Sequence, residues 1–319
     1  MKLTKKTIAV SAGALLFSAA LTGATACLMA STALDREGPK IMKKVGGLIS
    51  RSPVDGETVK LIRAASARLS EAETEHISIR SRDNIELAGH WYPCENPKRI
   101  VIAMHGWRSS WTADFGMSAP FMHDNGCSIL FAEQRGQNGS GGECMGFGVT
   151  ERYDCLDWLS YVVSCLSDTL PIYLCGISMG ATTVLMASGL ELPENVHGVI
   201  ADCGFTSPDE IWQHIARNNL HLAYSLCRPI AAGIYQRKNQ ACAFDCSTEK
   251  ALCDTQVPVL FIHGTDDHFV PVEMTYRNYM ACAGPKRLLI VPGAEHGMSY
   301  LTDKSGYENA VMNFWREFD

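Results

Sequence analysis

The sequence PIYLCGISMG, residues 171–180, joins a short apolar run to a turn of the form G-x-S-x-G. The run has the length and composition of a buried β-strand. A sharp turn between a strand and a helix exposes a serine hydroxyl, and it needs glycines where a Cβ would clash. No other G-x-S-x-G occurs in the chain. The spacing therefore marks Ser178 as the candidate nucleophile, with Gly176 and Gly180 as the glycines of the turn.

The next residues, ATTVLMA at 181–187, are small and apolar. Small side chains let a helix pack closely under a sheet, so we predict that a helix begins directly after the serine. The first backbone N–H groups of a helix have no partner within it, and the helix dipole adds partial positive charge there. We therefore expect this helix to stabilise negative charge that develops beside Ser178.

Similar apolar runs, bounded by glycines and polar residues, recur along the chain. Runs without polar alternation are typical of parallel strands that are buried on both faces. Before them, apolar residues at every second position around Arg82-Asp83-Asn84 predict an antiparallel hairpin. Helical patterns separate the runs, so we predict a wound α/β fold with a mostly parallel sheet of about eight strands flanked by helices. The runs cover residues 100–104, 128–132, 172–175, 199–201, 259–262 and 288–291.

This alternation of strands and helices occupies residues 74–319, which we predict to be one domain, and it is interrupted late in the chain. Helix-like segments rich in aromatic residues predict a small helical cap at about residues 206–256. Folds of this kind bind ligands at the carboxyl ends of their strands, which such a cap would cover. Trp212 and Tyr224 are therefore candidate substrate-cleft residues.

The chain begins with a basic leader, and the stretch from Thr7 to Ala30 has no charged residue. This pattern predicts membrane targeting through residues 1–34, followed by a stalk or surface helix over residues 35–73. Three forms of targeting are open: an uncleaved single span, which we favour, a cleaved signal ending at Ala26, and a lipoprotein modified at Cys27. Leaders of this kind usually leave the N-terminus inside, so we expect an extracytoplasmic body.

The composition argues against nucleic-acid binding and against a zinc site. The 319 residues are 46% hydrophobic and 19% charged, as in a globular protein. A net charge of -6 and a pI near 5.9 provide no basic surface for nucleic acid. Thirteen cysteines include no C-x-x-C pair, so we expect no zinc site and mostly free thiols. The candidates for a disulfide are Cys242, Cys246 and Cys253.

Two later segments place acidic residues and a histidine directly after predicted strands. HGTDDHFVP at 263–271 follows one strand and PGAEHG at 292–297 follows the next. A serine hydroxyl is a weak nucleophile, so it needs an imidazole to take its proton and a carboxylate to orient that imidazole. His296 is the candidate base, and Asp266 and Asp267 compete for the acid role.

Acyl transfer also needs donors for a developing oxyanion. The sequence HGW at 105–107 directly follows the strand of residues 100–104, where a loop of this kind is expected. The backbone N–H groups of Trp107 and Met179 are the predicted donors. A second sequence of similar shape, GECMG at 142–146, offers a cysteine but has no strand before it.

These motifs resemble the α/β-hydrolase superfamily, and in particular its serine aminopeptidase-like and esterase-like serine hydrolases. The resemblance spans residues 75–319, and its spacing implies Asp267 rather than Asp266 as the acid of a triad with Ser178 and His296. Residues 148–154 and 201–207 also resemble a membrane-anchored bacterial subgroup. The turn at 133–140 departs from the family pattern, with Glu133 in place of Asp and Gln137-Asn138 where relatives have glycine. The motifs are HGW at 105–107, EQRGQNGS at 133–140, GISMG at 176–180 and HGTDDHFVP at 263–271.

The resemblance implies a serine hydrolase that cleaves a carboxylic ester of a small-molecule acyl substrate through an acyl-enzyme, without metal or organic cofactor. Enzymatic alternatives are an aminopeptidase-like peptidase, a thioesterase and an acyltransferase. An aminopeptidase would need acidic groups to hold a substrate ammonium, and the predicted cap offers Asp209, Glu210 and Asp245. A non-enzymatic alternative is a membrane-tethered binding protein that keeps the fold, although such a protein is expected to have lost part of the triad.

Overall fold

The computed structural model describes residues 5–39, 56–221, 223–242 and 246–319, with side chains from residue 18 onward. Within these ranges the strands form one eight-stranded sheet in the order β1-β2-β4-β3-β5-β6-β7-β8. The two pairs that involve β2 are antiparallel, and the other five are parallel. The strands are β1 (Glu75–Arg80), β2 (Glu86–Tyr92), β3 (Arg99–Met104), β4 (Cys127–Ala132), β5 (Ile172–Ile177), β6 (Val196–Asp202), β7 (Val259–Gly264) and β8 (Lys286–Val291).

Helices cover both faces of this sheet, which confirms the predicted architecture, including the antiparallel hairpin at its start. Short π-helical turns extend two of them, at Val162–Leu166 after α5 and at Ile215–Asn219 after α7. In chain order the helices are α1 (Lys5–Leu34), α2 (Gly56–Ser70), α3 (Trp111–Phe115), α4 (Ala119–Asp124), α5 (Glu151–Tyr161), α6 (Met179–Ala187), α7 (Pro208–His214), α8 (Tyr224–Asn239), α9 (Thr248–Asp254), α10 (Val272–Ala281), α11 (Ser299–Thr302) and α12 (Lys304–Phe318).

The unalternated apolar strands are buried because each face of the sheet has its own apolar core. Trp158 of α5 and Leu185 of α6 belong to the core on one face, and Trp315 of α12 belongs to the core on the other. The last run differs from the prediction of burial on both faces. Leu288 in β8 is 38% exposed, because β8 is an edge strand that pairs only with β7.

The predicted cap corresponds to the helices α7, α8 and α9, which lie between β6 and β7. The helix α7 begins at a capping serine, Ser207, whose side chain accepts a hydrogen bond from the backbone N–H of Glu210. The helix α8 contains Pro229 and ends at Asn239, and the next residue, Gln240, has a left-handed backbone conformation. The insertion is therefore helical, and it reaches the carboxyl edge of the sheet.

The N-terminal segment is helical over Lys5–Leu34, and its end packs on the rest of the molecule. Ala26, Ala30 and Leu34 have no exposed surface. Among the described residues, no helix has both the length and the apolar character needed to cross a membrane. The predicted span therefore has no support here, and membrane targeting through residues 1–34 stays a prediction, with residues 1–4 outside the described ranges.

The predicted stalk or surface helix of residues 35–73 contains the helix α2, and residues 40–55 lie outside the described ranges. Ala65 and Leu69 of α2 are buried, so one side of this helix packs on the domain. All thirteen cysteines are free thiols. The disulfide considered among Cys242, Cys246 and Cys253 is therefore not formed.

The close packing of the turn at Gly180 gives a first prediction. A Cβ on Gly180 would lie 1.9 Å from the carbonyl oxygen of Met104, whereas a Cβ on Gly233 in α8 would meet nothing within 4 Å. We expect Gly180→Ala to lower the free energy of unfolding by about 3 kcal/mol or more, because β3 and α6 must separate. Gly233→Ala, the matched control, is expected to raise it by about 0.5–1 kcal/mol. Urea denaturation of both variants measures this, and equal midpoints would contradict it.

Candidate active site

Ser178 lies between the end of β5 and the start of α6, in a strained backbone conformation. Its φ is 56° and its ψ is -117°, which few residues other than glycine adopt. Its backbone N–H donates to the carbonyl oxygen of Asp202 at the end of β6, at 2.8 Å. The neighbouring strand therefore holds the turn, and the serine remains 7% exposed.

The structure brings His296 to this serine from the loop after β8. Nε2 of His296 lies 2.9 Å from Ser178 Oγ, and Nδ1 lies 2.7 Å from Asp267 Oδ2. With Nδ1 protonated, the imidazole donates to the carboxylate and its Nε2 accepts from the serine hydroxyl. The three predicted side chains thus form one continuous hydrogen-bonded chain.

Asp267 is held rigidly after β7, and Asp266 is not part of this chain. The second carboxylate oxygen of Asp267 accepts from the backbone N–H groups of Phe269 and Val270, at 2.9 and 2.8 Å. Nε2 of His263 lies 3.1 Å from Oδ2 of Asp267, so His263 supports the acid rather than the serine. Asp266 is exposed and accepts only from the hydroxyl of Thr265 among the contacts described.

The interaction between Asp267 and His296 favours the charged form of the Asp267 carboxylate. Burial by itself would raise the pKa of Asp267, but the charge of His296 and hydrogen bonds from His263 and His296 outweigh it and hold that pKa well below its usual range. Burial would likewise lower the pKa of His296, yet the charge and hydrogen bond of Asp267 outweigh it and raise that pKa above 6.5. The imidazole is therefore a stronger base than it would be in water.

The predicted oxyanion loop borders the nucleophile. A Cβ placed on Gly106 would lie 3.3 Å from Cβ of Ser178, so the backbone of HGW at 105–107 touches the serine. Met179 is the first residue of α6, where backbone N–H groups have no acceptor within the helix. The two predicted donors, Trp107 and Met179, therefore belong to segments on either side of the serine.

Residues that the sequence analysis did not single out hold this loop in place. The carboxylate of Asp114 in α3 accepts from the backbone N–H of Gly106 at 2.6 Å and also from the hydroxyl of Ser109. The backbone N–H of Gln134 donates to Nε2 of His105 at 3.1 Å. Asp114 follows the HGW motif by only a few residues, so its proximity in sequence was an available signal.

The departure at Glu133 has a structural explanation. Its carboxylate lies 3.0 Å from Nε2 of His90 and accepts from the backbone N–H of Gly139. The side chain of Gln137 accepts from the backbone N–H of Arg108, directly beside the oxyanion loop. The turn at 133–140 therefore supports that loop without contributing to the triad.

The alternative nucleophile Cys144 contacts Lys238 and Asn239 instead of a base.

The two cap residues that are predicted to line a substrate cleft are both buried. Trp212 is 5% exposed and packs edge-to-face on Phe147 and Tyr235. Tyr224 is 4% exposed, and its hydroxyl donates to Asp209 at 2.8 Å. Large aromatic side chains at a cap interface are buried because the cap must cover its own apolar surface. Both therefore help to pack the cap onto the domain, and their place in a substrate cleft stays a prediction.

A cavity of about 450 Å³ opens beside the acid, between the π-helical turn after α7 and the loop after β7. Its lining is mixed: His214, Asn218, His268 and Glu273 line it together with Asp267, and so do Pro271 and Val272. His214 thus faces the neighbourhood of the triad, where a substrate group could reach it.

Within the described residues, one group of side chains near the triad could hold a metal ion, and it includes Cys203. Donor atoms of Cys203, Asp267 and His296 all lie within 4.8 Å of one another. A cysteine binds a metal as its thiolate, but burial raises the pKa of the Cys203 thiol well above its usual value. Asp267 and His296 also already bond to each other. The arrangement therefore suits proton transfer better than metal binding.

Comparison with known proteins decides the family. The uncharacterized protein YqkD of Bacillus subtilis is 32% identical over 232 residues, which cover 70% of this chain and 73% of that protein. The family model described as serine aminopeptidase, S33, matches residues 95–251. The chain belongs to the α/β hydrolases.

Solved structures share the fold of this hydrolase at lower identity. The Pyrococcus furiosus esterase Pf2001 superposes with a TM-score of 0.62 at 20% identity, over 79% of this chain and 95% of that one. The Pyrococcus horikoshii acylaminoacyl peptidase superposes with a TM-score of 0.56 at 16% identity, over 78% of this chain and 43% of that one. An esterase and a peptidase thus share the architecture, and the similarity does not choose between their activities.

The raised pKa of His296 predicts how the reactivity of Ser178 depends on pH. A protonated imidazole cannot accept the serine proton, so labelling by a fluorophosphonate is expected to rise with pH through a midpoint above 6.5. Asp114 contributes to this raised pKa through its negative charge. Asp114→Asn is therefore expected to move the midpoint slightly to lower pH. A wild-type midpoint below 6.5 would contradict the assignment of His296 as the base.

Proposed function

We propose that this hydrolase cleaves carboxylic esters through a covalent acyl-enzyme on Ser178. The observation that supports it best is the hydrogen-bonded chain from Ser178 Oγ through His296 to Asp267, with distances of 2.9 and 2.7 Å. A serine in this arrangement can lose its proton as it attacks a carbonyl carbon. The proposal assigns Ser178 as nucleophile, His296 as general base and Asp267 as the group that orients the imidazole.

The first half of the reaction forms the acyl-enzyme. Ser178 Oγ bonds to the carbonyl carbon while His296 Nε2 takes its proton, and the carbonyl oxygen becomes an oxyanion. Backbone N–H groups of Trp107 and Met179 donate to that oxyanion; removal of one such donor typically costs about 3 kcal/mol in the barrier. The C–O bond to the leaving alcohol then breaks, and the imidazolium returns the proton to the alcohol oxygen.

The second half releases the acid. Water enters, His296 takes one of its protons, and the resulting hydroxide attacks the acyl carbon. The tetrahedral intermediate collapses, the bond to Ser178 Oγ breaks, and the imidazolium returns a proton to the serine. Throughout, the negative charge of Asp267 stabilises the imidazolium, which agrees with the low pKa of that carboxyl group.

Ester substrates are favoured over aminopeptidase substrates by the state of the acidic cap residues. Asp209 is bound by the hydroxyl of Tyr224 at 2.8 Å and by the guanidinium of Arg228 at 2.8 Å. Glu210 is bound by Arg277 at 2.9 Å and by the hydroxyl of Thr206. Asp245, the third candidate, lies outside the described residues. Both described carboxylates are thus already paired with a guanidinium, and either would have to give up that contact to hold a substrate ammonium.

Apolar surface around the triad favours an apolar acyl group. The ring of Phe269 lies against the imidazole of His296, with centroids 5.0 Å apart. Met179, Phe147 and Phe205 belong to one apolar cluster beside the nucleophile, which also contains Trp212 and Tyr224, and their side chains are at most 5% exposed. An aminopeptidase remains the second candidate, since Glu273 lines the cavity next to Asp267 and could hold an ammonium.

Labelling and a substrate screen test the proposed function. The wild-type chain is expected to react with a fluorophosphonate and to hydrolyse p-nitrophenyl esters, with a preference for some acyl chain lengths. Ser178→Ala is expected to lose labelling and to lower kcat by about a millionfold. A faster reaction with aminoacyl anilides than with any ester would favour the peptidase, and absence of labelling in the wild type would contradict a serine hydrolase.

Adjacent carboxylates provide a matched test of the acid. Asp267→Asn is expected to lower kcat on the best ester by about 10⁴, because the imidazole loses its orienting acceptor. Asp266→Asn changes an exposed carboxylate one residue away, and we expect kcat within about twofold of wild type, since surface substitutions usually have small effects. Similar losses in both variants would argue against the assignment of Asp267.

A further inference from the structure

The end of the N-terminal helix α1 lies in the apolar cluster beside the proposed nucleophile. Ala26, Ala30 and Leu34 are spaced by four residues, so they share one face of the helix, and all three are fully buried. Ala30 and Leu34 belong to the same cluster as Met179, the residue after the nucleophile. A segment that sequence assigns to targeting thus packs against the active site.

The oxyanion loop is bound directly to this helix. The indole N–H of Trp107 donates to the carbonyl oxygen of Ala33 at 2.9 Å. The guanidinium of the next residue, Arg108, donates to the carbonyl oxygens of Thr32 and Arg36 at 2.9 and 3.0 Å, and also to that of Asp35. The last carbonyls of a helix have no partner within it, so the loop completes the hydrogen bonding of α1.

Further bonds fix the position of the helix end on two other segments. The backbone N–H of Met145 donates to the carbonyl oxygen of Leu34 at 2.8 Å, and that of Arg36 donates to Glu143 at 2.9 Å. The side chain of Asp35 pairs with Lys238 of α8 at 2.6 Å. Residues 32–36 are therefore held by the oxyanion loop, by the segment around Glu143 and by the cap together.

The loop needs such support because its backbone is strained. Arg108 has a φ of 51°, a backbone conformation that residues other than glycine rarely adopt. Strain of this kind persists only when surrounding contacts impose it. If the contacts of Trp107 and Arg108 to α1 were lost, the loop could relax and move the backbone N–H of Trp107 away from the position of the oxyanion.

We propose that the end of α1, residues 30–36, is a positioning element of the active site that aims the oxyanion loop through the side chains of Trp107 and Arg108. This inference rests on the proposed function, because it assigns a role in stabilising the oxyanion of that reaction. Residues 30–36 then belong to the active hydrolase whatever the function of the segment before them. A displacement of about 1 Å in such a site can cost about a hundredfold in rate.

A single substitution tests the link from helix to loop. Trp107→Phe keeps an aromatic ring but removes the indole donor to Ala33, and leaves the backbone N–H of residue 107 in place. Trp158→Phe is the matched control, since the indole N–H of Trp158 has no acceptor among the described residues and the side chain lies in the core formed by α5 and α6, away from the contacts of α1 with the loop. We expect Trp107→Phe to lower kcat roughly tenfold to a hundredfold with KM within twofold, and Trp158→Phe to leave kcat unchanged.

A second pair of variants tests the helix itself. Leu34→Ala removes packing from the buried face of α1, whereas Leu28→Ala makes the same change where the side chain is 38% exposed. We expect Leu34→Ala to lower kcat at least about fivefold with KM retained, and Leu28→Ala to have no effect, because only the buried face transmits position to the loop. Should Leu34→Ala fail to fold, the substitution of Trp107 decides alone.

Affinity for a trifluoromethyl ketone separates positioning from a loss of folding. Its adduct with Ser178 carries an oxyanion, so its dissociation constant is expected to rise in Trp107→Phe by the same factor as kcat/KM falls. Ketone affinity and kcat equal to wild type in Trp107→Phe would overturn the inference, as would equal losses in Leu34→Ala and Leu28→Ala. Failure of the proposed function is distinct, because the wild-type chain would then neither label nor hydrolyse esters.

Discussion

The conformation of Ser178 is the constraint on which the rest of the structure depends. A φ of 56° is unfavourable for serine, and it persists because β5, β6 and α6 meet at this residue. The close approach is visible at Gly180, where a Cβ would lie 1.9 Å from the carbonyl oxygen of Met104. The parallel sheet therefore holds Ser178 in this strained conformation. As a result, the serine hydroxyl faces the edge of the sheet where the following loops converge.

The second shared constraint is electrostatic. One buried carboxylate, Asp267, is bound by two backbone N–H groups and lies within hydrogen-bonding distance of two imidazoles. These donors keep it charged despite burial, and its charge raises the pKa of His296. Because Asp267 follows β7 and His296 follows β8, the pairing depends on adjacent parallel strands that end at the same level. The adjacent positions of β7 and β8 in the sheet thus set the proton affinity of His296.

The oxyanion loop shows how a distant segment enters the same site. Asp114 holds the loop from one side, through the backbone N–H of Gly106, and the end of α1 holds it from the other, through Trp107 and Arg108. Both sets of contacts act on a loop whose proposed contribution to the reaction is a backbone N–H, that of Trp107. The precision of such a donor depends on its supports, which is why residues without chemistry of their own belong to the site.

The sequence by itself predicted the α/β architecture and brought Ser178, His296 and the pair Asp266-Asp267 to one edge, because each follows a predicted strand and the carboxyl ends of parallel strands meet there. The family resemblance favoured Asp267 of the two aspartates, and the structure places Asp267 within hydrogen-bonding distance of His296. It could not determine what Trp212 and Tyr224 face, since an aromatic side chain suits a cleft and a packed interior equally well. Likewise, the uncharged stretch from Thr7 to Ala30 within α1 is compatible with a lipid or a protein environment. Only the tertiary structure placed Ala30 and Leu34 against the active site, because contacts between residues far apart in the chain leave no local pattern.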